Sequence, residues 1–426
     1  FTDIHLHWDV PPALADLHAI GPGGERTGRT YGDYATEARQ FAVSLFEVFG
    51  EGDATKKPFI FPRPLVHLTK EFFHTAGKDA FLDLLCRVAI EKGSPCFVFD
   101  REAEMEPLPG GRTDGTDEDA PGKTRRIAVQ NVTLNLPRLG YKARGDDRRL
   151  FELLTELMEL AARAHVQKKD FIEKLLSYGD QGPLSMLTTS GDGSPYLRMN
   201  RAVYLVGMAG LNELVRIHRG REMHETEDAL AFGLRVVEHM KAEAGRLSEA
   251  HGLRFALEQT PAETTAYRFA RLDLRYFSPE AGHAVRGDLS RREIYYTNST
   301  HLSVAAGVTA IDRTRMEGRF HPLICANAVT HLWLGDPRPR PEDLAAFITR
   351  VFSETGNRQV ILSPEFTNCS VCRRTVSGLH RTCPVCGSEE VEGIARITQY
   401  FSRIAGWNKG KVAELRDRNR RTSFSS

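Results

Sequence analysis

The sequence predicts an α/β fold, from three observations. Short apolar segments rich in Val, Ile and Phe alternate with amphipathic stretches of ten or more residues. Strands separated by helices of that length imply parallel βαβ units. Apolar residues at 41% against 27% charged supply an ordinary large core. Periodicity leaves open whether the sheet is closed or open.

Taken in order, residues 1–30 are rich in Pro and Gly and read as loop. From Asp33 to about Gly50, Phe41, Leu45, Phe46 and Val48 mark an amphipathic helix. The segment Lys57 to Thr69 reads as a proline-punctuated strand. A helix follows from about Lys78 to Ile90, then a short buried strand Pro95–Phe99. Residues 101–124 are glycine-rich and apolar-poor, which predicts a flexible loop. Ile127–Leu136 returns to a strand. The strongest helix runs from about Asp147 to Leu176, with Leu150, Leu154, Leu157, Leu160 and Ala161 on its apolar stripe. Another covers His224–Leu247, ended by Gly252. Gly252–Glu258 is strand-like, and Pro261 suits the first turn of the next helix. Composition changes near Ser363, which divides the chain into an α/β domain, 1–362, and a cysteine-bearing tail, 363–426.

Bulk properties exclude several classes. Lys+Arg 57 against Asp+Glu 56 gives no electrostatic reason for a nucleic-acid or membrane partner. No apolar run approaches the roughly 18 residues of a membrane span. The first residues have neither the basic nor the apolar region of a signal peptide, and Phe1 in place of Met marks a start that is not native. Outside the tail the cysteines are Cys86, Cys96 and Cys325, scattered and odd in number, so a reducing cytoplasm is expected rather than a disulfide framework.

Within the tail, Cys369-Ser370-Val371-Cys372 and Cys383-Pro384-Val385-Cys386 are two CxxC turns with ten residues between them. Each turn aims two thiolates at one point, and together they complete a tetrahedral four-sulfur shell for Zn2+. Four thiolates leave no open position, so the metal is expected to be structural. Zinc binding of this kind contributes roughly 10–16 kcal/mol to folding in small zinc peptides.

Beyond the knuckle stand Arg396-Ile397-Thr398-Gln399-Tyr400 and Trp407-Asn408-Lys409-Gly410-Lys411. These resemble the tail of anaerobic (class III) ribonucleoside-triphosphate reductases. That family has a zinc knuckle, an Arg-x-x-Gly-Tyr motif bearing a glycyl radical, and a W/F-N-x-G-K segment. Phe1–Ile4 through Trp8–Pro11, Thr30–Tyr34, Gln130–Arg138, Leu257–Glu263 and Tyr296–His301 resemble further stretches of the same family, in the same order.

The resemblance implies a ten-stranded α/β barrel, incomplete here at its N-terminus, with the radical-bearing loop inside and the small zinc knuckle after it. It implies reduction of ribonucleoside triphosphates to deoxyribonucleoside triphosphates. A separate radical S-adenosylmethionine activase makes a glycyl radical, which oxidises a cysteine to a thiyl, and formate supplies reducing equivalents. A homodimer is implied as well. This sequence departs from the pattern at two places. Gln399 occupies the radical-glycine position, and the 101–124 loop that precedes the Gln130–Arg138 strand carries no cysteine. Gly406, in Arg403-Ile404-Ala405-Gly406-Trp407, and Cys96 are the candidates to fill the two catalytic roles. The alternatives are a diverged homologue that binds a nucleotide without glycyl-radical catalysis, and a regulatory partner of an intact reductase.

Asn298, Ser299 and His301 form a polar cluster at a strand-to-loop junction. Barrels bind ligands there, and the resemblance puts substrate nearby; a locally bonded turn explains the cluster equally well. Glu258 and Glu263 offer carboxylates at a strand end and a helix first turn. His5 and His7 share one face of an extended segment, but no third metal ligand is near in sequence. The basic run Arg416–Arg421 reads as a solvated terminus.

Overall fold

The computed structural model describes residues 2–101, 127–188, 196–197, 199–335, 338–420 and 424. Apart from Arg101, the 101–124 loop lies outside them. The strands in chain order are β1 (Asp3–His7), the hairpin β2 (His18–Ile20) and β3 (Arg26–Thr30), β4 (Arg63–Thr69), β5 (Cys96–Asp100), β6 (Ala128–Asn135), β7 (Val203–Ala209) and β8 (Arg254–Gln259). A second hairpin follows, β9 (Arg286–Asp288) and β10 (Glu293–Tyr295), then β11 (Thr330–Trp333) and β12 (Gln359–Ser363). The tail adds β13 (Phe366–Cys369), β14 (Thr375–Ser377), β15 (Val391–Arg396) and β16 (Phe401–Arg403).

The α/β expectation holds, but a single closed ten-stranded barrel is not what the pairing among the described residues shows. One sheet has five strands in the order β1-β4-β5-β12-β11, and a separate one has three, β6-β7-β8. Neighbours are parallel except β12 with β5, which run antiparallel. Backbone bonds from Gln259 N to Asn327 O (3.0 Å) and from Ala326 N to Leu257 O (2.9 Å) tie β8 to the segment leading into β11. That segment never becomes a regular strand, so the two sheets meet without merging.

Both sheets carry helices on one face. Helices Ala35–Glu51, Lys78–Lys92 and Pro341–Glu354 cover the larger sheet, burying Phe46, Leu85, Phe97, Phe347 and Val360. Helices Asp147–Leu176 and Glu227–His251 cover the smaller, burying Leu154, Met158, Tyr204, Val236 and Leu257. Strand alternation sends the intervening residues to the opposite faces. Leu65, Cys96, Val98, Val329 and Ile361 cluster on one, and Val203, Leu205, Ala256 and Ala326 on the other. These helix-free faces position the site.

Local signals set the element ends. Asp146 accepts from Arg149 N (3.1 Å) and starts the long helix where the leucine stripe begins. Gly252 at φ 60° and Gly93 at φ 75° close helices in the left-handed region. The apolar faces differ from expectation in two helices. Phe41, Val48 and Leu160 point to solvent, while Ala42, Phe46 and Phe49 face the core of the first helix. No helix among the described residues is long and apolar enough to cross a membrane.

Candidate functional site

The tail forms an antiparallel sheet in the order β14-β13-β15-β16, and the cysteines sit at its turns. Cys369 ends β13, and its N–H bonds Arg374 O (3.0 Å); Cys383 N bonds Ser388 O (2.8 Å). Arg373 (φ 57°) and Gly387 (φ 73°) take left-handed conformations that curl each turn around its sulfurs. Cys369 Sγ lies 3.7 Å from Cys386 Sγ, and Cys372 Sγ 3.7 Å from Cys383 Sγ. All four sulfurs fall within 4.8 Å of one another. A tetrahedron with ~2.3 Å Zn–S bonds has edges of ~3.8 Å, so this donor set fits zinc in size and chemistry. Backbone N–H groups of Cys386 and Val385 draw the Cys383 thiol down to about 6, toward the thiolate a metal requires.

β15 and β16 are joined by the four residues Ile397-Thr398-Gln399-Tyr400, and Ile397 N bonds Tyr400 O (3.0 Å). This hairpin tip runs into the helix-free face of the larger sheet. Arg63 Nη1 donates to Gln399 Oε1 (2.8 Å), while its other nitrogens hold Asp3. Arg396 donates to Gly93 O and to Gln399 O. Thr398 Oγ1 donates to Glu263, at the start of helix Glu263–Tyr276. Asn408 bonds Glu263 O (2.9 Å) and caps helix Lys409–Asp417 through Lys411 N (3.0 Å).

Cys96 belongs to the same face. It is 2% exposed, and its thiol donates to Gln359 Oε1 (3.4 Å). Burial pushes it up to about 11, against the pull of the Arg63 and Arg396 guanidiniums. A thiol held in the S–H form is no nucleophile, but it is the form that can give up a hydrogen atom. Gly406 lies elsewhere, in an exposed turn over Ile404–Gly406, where a Cβ would meet nothing within 4 Å. The tip therefore presents Gln399, not Gly406, beside the arginine that faces Cys96.

Asn298 and His301 line a cavity of about 20 Å³ with Thr297, His331, Trp333, Thr398 and Arg418, room for a single water. The tail fills the space around it. Ser299 is not on that wall; it is fully buried at φ 40°. Thr300 Oγ1 accepts from Gln259 Nε2 (2.8 Å), which locks the loop to the end of β8.

Several polar residues here were not singled out by sequence reasoning. Asn131 donates to Glu258 across β6 and β8, and Thr133 Oγ1 bonds Asn131 Oδ1 (2.9 Å) and Thr260 Oγ1 (3.2 Å). Burial raises the Glu258 carboxyl, and the Asn131 bond only partly offsets that. Gly207 on β7 makes the cluster possible, since a Cβ there would sit 1.8 Å from Thr260 Oγ1.

Two sequence expectations are corrected. Within the basic run, of which Arg421 lies outside the described residues, Arg418 is not solvated: it is 5% exposed, bonds Arg396 O (3.0 Å) and Glu414 (3.1 Å), and lies between the Trp333 and Trp407 rings. Arg420 pairs with Glu365 (2.8 Å). His5 and His7 do gain further partners, from strands distant in sequence. His5 Nδ1 lies 2.8 Å from His67 Nε2, and His67 Nδ1 2.9 Å from Asp100 Oδ2.

Buried ionisable groups around the cavity set an acid limit on stability. Burial depresses His321 to about 3, so its contribution is complete above ~6.5 and is lost as pH falls toward 3. Burial alone would raise Glu317, but His301 and Arg313 hold it at about 2; its contribution is lost between ~4.5 and 2. Both act in one direction. Denaturant titrations should show stability falling by ~2 kcal/mol from pH 6.5 to pH 5 through His321 alone, and faster below pH 4.5. Constant stability across that range would contradict the assignment.

The fold is that of the anaerobic ribonucleotide reductases. A solved anaerobic ribonucleotide reductase superposes with a TM-score of 0.75 at 17% identity, covering 96% of this chain and 62% of that one. The Thermotoga maritima anaerobic ribonucleotide reductase, solved in complex with dATP and CTP, gives 0.74 at 17% identity, over 97% and 65%. The family model for anaerobic ribonucleoside-triphosphate reductase matches residues 1–420, and the chain belongs to that family. The Escherichia coli (strain K12) enzyme of that name is 29% identical over 199 residues, covering 45% of this chain and 27% of its own length. The enterobacteria phage T4 enzyme is 24% identical over 304 residues, covering 67% and 47%. The chain thus spans less than two thirds of these relatives.

Proposed function

We propose that this chain reduces ribonucleoside triphosphates to deoxyribonucleoside triphosphates by anaerobic radical chemistry, with a structural Zn2+ held by Cys369, Cys372, Cys383 and Cys386. The observation that carries the reading is the hairpin tip seated by Arg63, beside a buried, protonated Cys96. The two sheets form most of a ten-stranded barrel, an inference supported by the backbone bonds at 326–327. Residues 1–362 form the nucleotide-binding unit and 363–426 the zinc-bearing tail. Asn298, Ser299 and His301 orient the substrate, which would have to displace the tail residues Thr398 and Arg418 from the cavity that Asn298 and His301 line; Ser299 shapes the turn between them.

Cys96 supplies the hydrogen-abstracting thiol and Gly406 the radical glycine, a role for which the exposed turn that holds Gly406 would have to move toward buried Cys96. Gln399 carries a side chain at the family's position and does not fit that role. A radical S-adenosylmethionine activase acting on a homodimer would install the radical, which supplies the oxidising equivalent for Cys96, and formate would be the reductant, in the cytoplasm. Gln399 is also the specific observation behind a second reading, a diverged homologue that binds nucleotide without this chemistry.

Anaerobic incubation with such an activase and S-adenosylmethionine, read by electron paramagnetic resonance, separates them. A glycyl doublet that Gly406→Ala removes is expected. No doublet in the parent chain would leave the second reading.

A further inference from the structure

A second group of metal-type ligands lies away from the knuckle, on the helix-free face of the larger sheet. β1 and β4 are parallel and in register, so His7 stands directly opposite His67. On the next strand Asp100 pairs with Thr69, two residues beyond His67 and on the same face. His7 Nδ1 or Nε2, a nitrogen of His67 and a carboxylate oxygen of Asp100 all lie within 4.8 Å of one another. The His7 and His67 rings stack at 4.2 Å and 17°. His67 and Asp100 are nearly sealed from solvent, their side chains 3% and 7% exposed.

From this arrangement we infer that His7, His67 and Asp100 bind a divalent first-row transition ion, at a site independent of the four-cysteine knuckle. Two imidazoles and one carboxylate on one side of an ion, with the other side open, is the donor set such metals take as a facial triad. The 2.9 Å between His67 Nδ1 and Asp100 Oδ2 already matches the edge of ~3 Å spanned by two ligands at ~2.1 Å in octahedral geometry. His5 is the natural outer partner, its Nδ1 2.8 Å from His67 Nε2. It orients the ring, as the second shell of a metal-bound histidine does.

The site also has a place relative to the rest. His5, Leu65 and Cys96 form one row across β1, β4 and β5, and His7, His67 and Val98 the next. The ion would thus sit one to two rows along the same face from Cys96. This inference does not depend on the radical chemistry proposed above.

Metal content of the full chain, reconstituted with Zn2+ or Co2+ and counted after desalting, tests it. Two equivalents are expected. In the cobalt form the knuckle gives intense thiolate-to-metal charge-transfer bands, and the second site only weak visible bands of nitrogen and oxygen ligation. His7→Ala and the isosteric Asp100→Asn should each lose one equivalent and the weak bands, while keeping the thiolate bands that report a folded tail. A parent chain holding one equivalent, removed entirely by Cys369→Ser, would overturn the inference. So would a His7→Ala, Asp100→Asn double variant that still holds two.

Discussion

Cys96→Ala is expected to lower ribonucleotide reduction by about 10⁴-fold or more, as removal of a group that takes part directly in chemistry does. The stability cost should be small, ~1 kcal/mol, because the change leaves one Gln359 acceptor short of a weak S–H donor. The control lies on the other side of the same sheet layer. Cys86 is equally buried, but it packs in the helix-facing cluster with Leu85 and Phe97, on the face away from the hairpin tip. Cys86→Ala should keep turnover. Cys325, at the edge of the other helix-free cluster, is the third comparison. If Cys325→Ala abolished turnover and Cys96→Ala did not, the thiol assignment would move to β8's side of the molecule.

The second large effect concerns the knuckle. The double variant Cys372→Ser, Cys386→Ser should lose one equivalent of zinc and, with it, the order of the whole tail sheet. Small zinc peptides derive roughly 10–16 kcal/mol from the metal, and the segment between Cys369 and Cys386 has little apolar surface of its own: Val371, Leu379 and Val385 are all exposed. Hydrogen exchange should accelerate across residues 366–403 while the strands β6, β7 and β8 keep their protection. Turnover should vanish too, because the tip that meets Arg63 stands on that sheet. Unchanged exchange in the variant would mean that β13 to β16 hold themselves together by packing alone.

Much of this was legible in the chain, for physical reasons. The helix Asp147–Leu176 coincides with its leucine stripe and its capping aspartate, both local signals. The knuckle was legible because a CxxC turn is a local device and two of them have one geometric solution. The first helix showed where locality stops. Phe41 is 63% exposed although it fits the periodicity; which face turns inward is decided by the sheet and by helix Lys78–Lys92. The histidine cluster escaped for the same reason. His5 and His7 stand two apart on one strand, but His67 and Asp100 arrive from strands whose register no single segment encodes. The basic run was misread because its fate depends on two tryptophans and a glutamate: Trp333, Trp407 and Glu414 take Arg418 out of water. The sheets were legible as α/β but not as a closed count of strands, since residues 326 and 327 bond like a strand edge without becoming one.

The buried Lys411, Glu414 and Arg418 are packed as one unit, with Lys411 Nζ 2.7 Å from Glu414 Oε2 and Arg418 on the other oxygen. Separating them in place would leave an uncompensated ion, which typically costs several kcal/mol. The unit consequently behaves as a bolt behind the hairpin: Arg418 also donates to Arg396 O (3.0 Å), so the tip at Gln399 cannot swing outward without drawing on this buried unit. Gly406, in its exposed turn, stands outside the door.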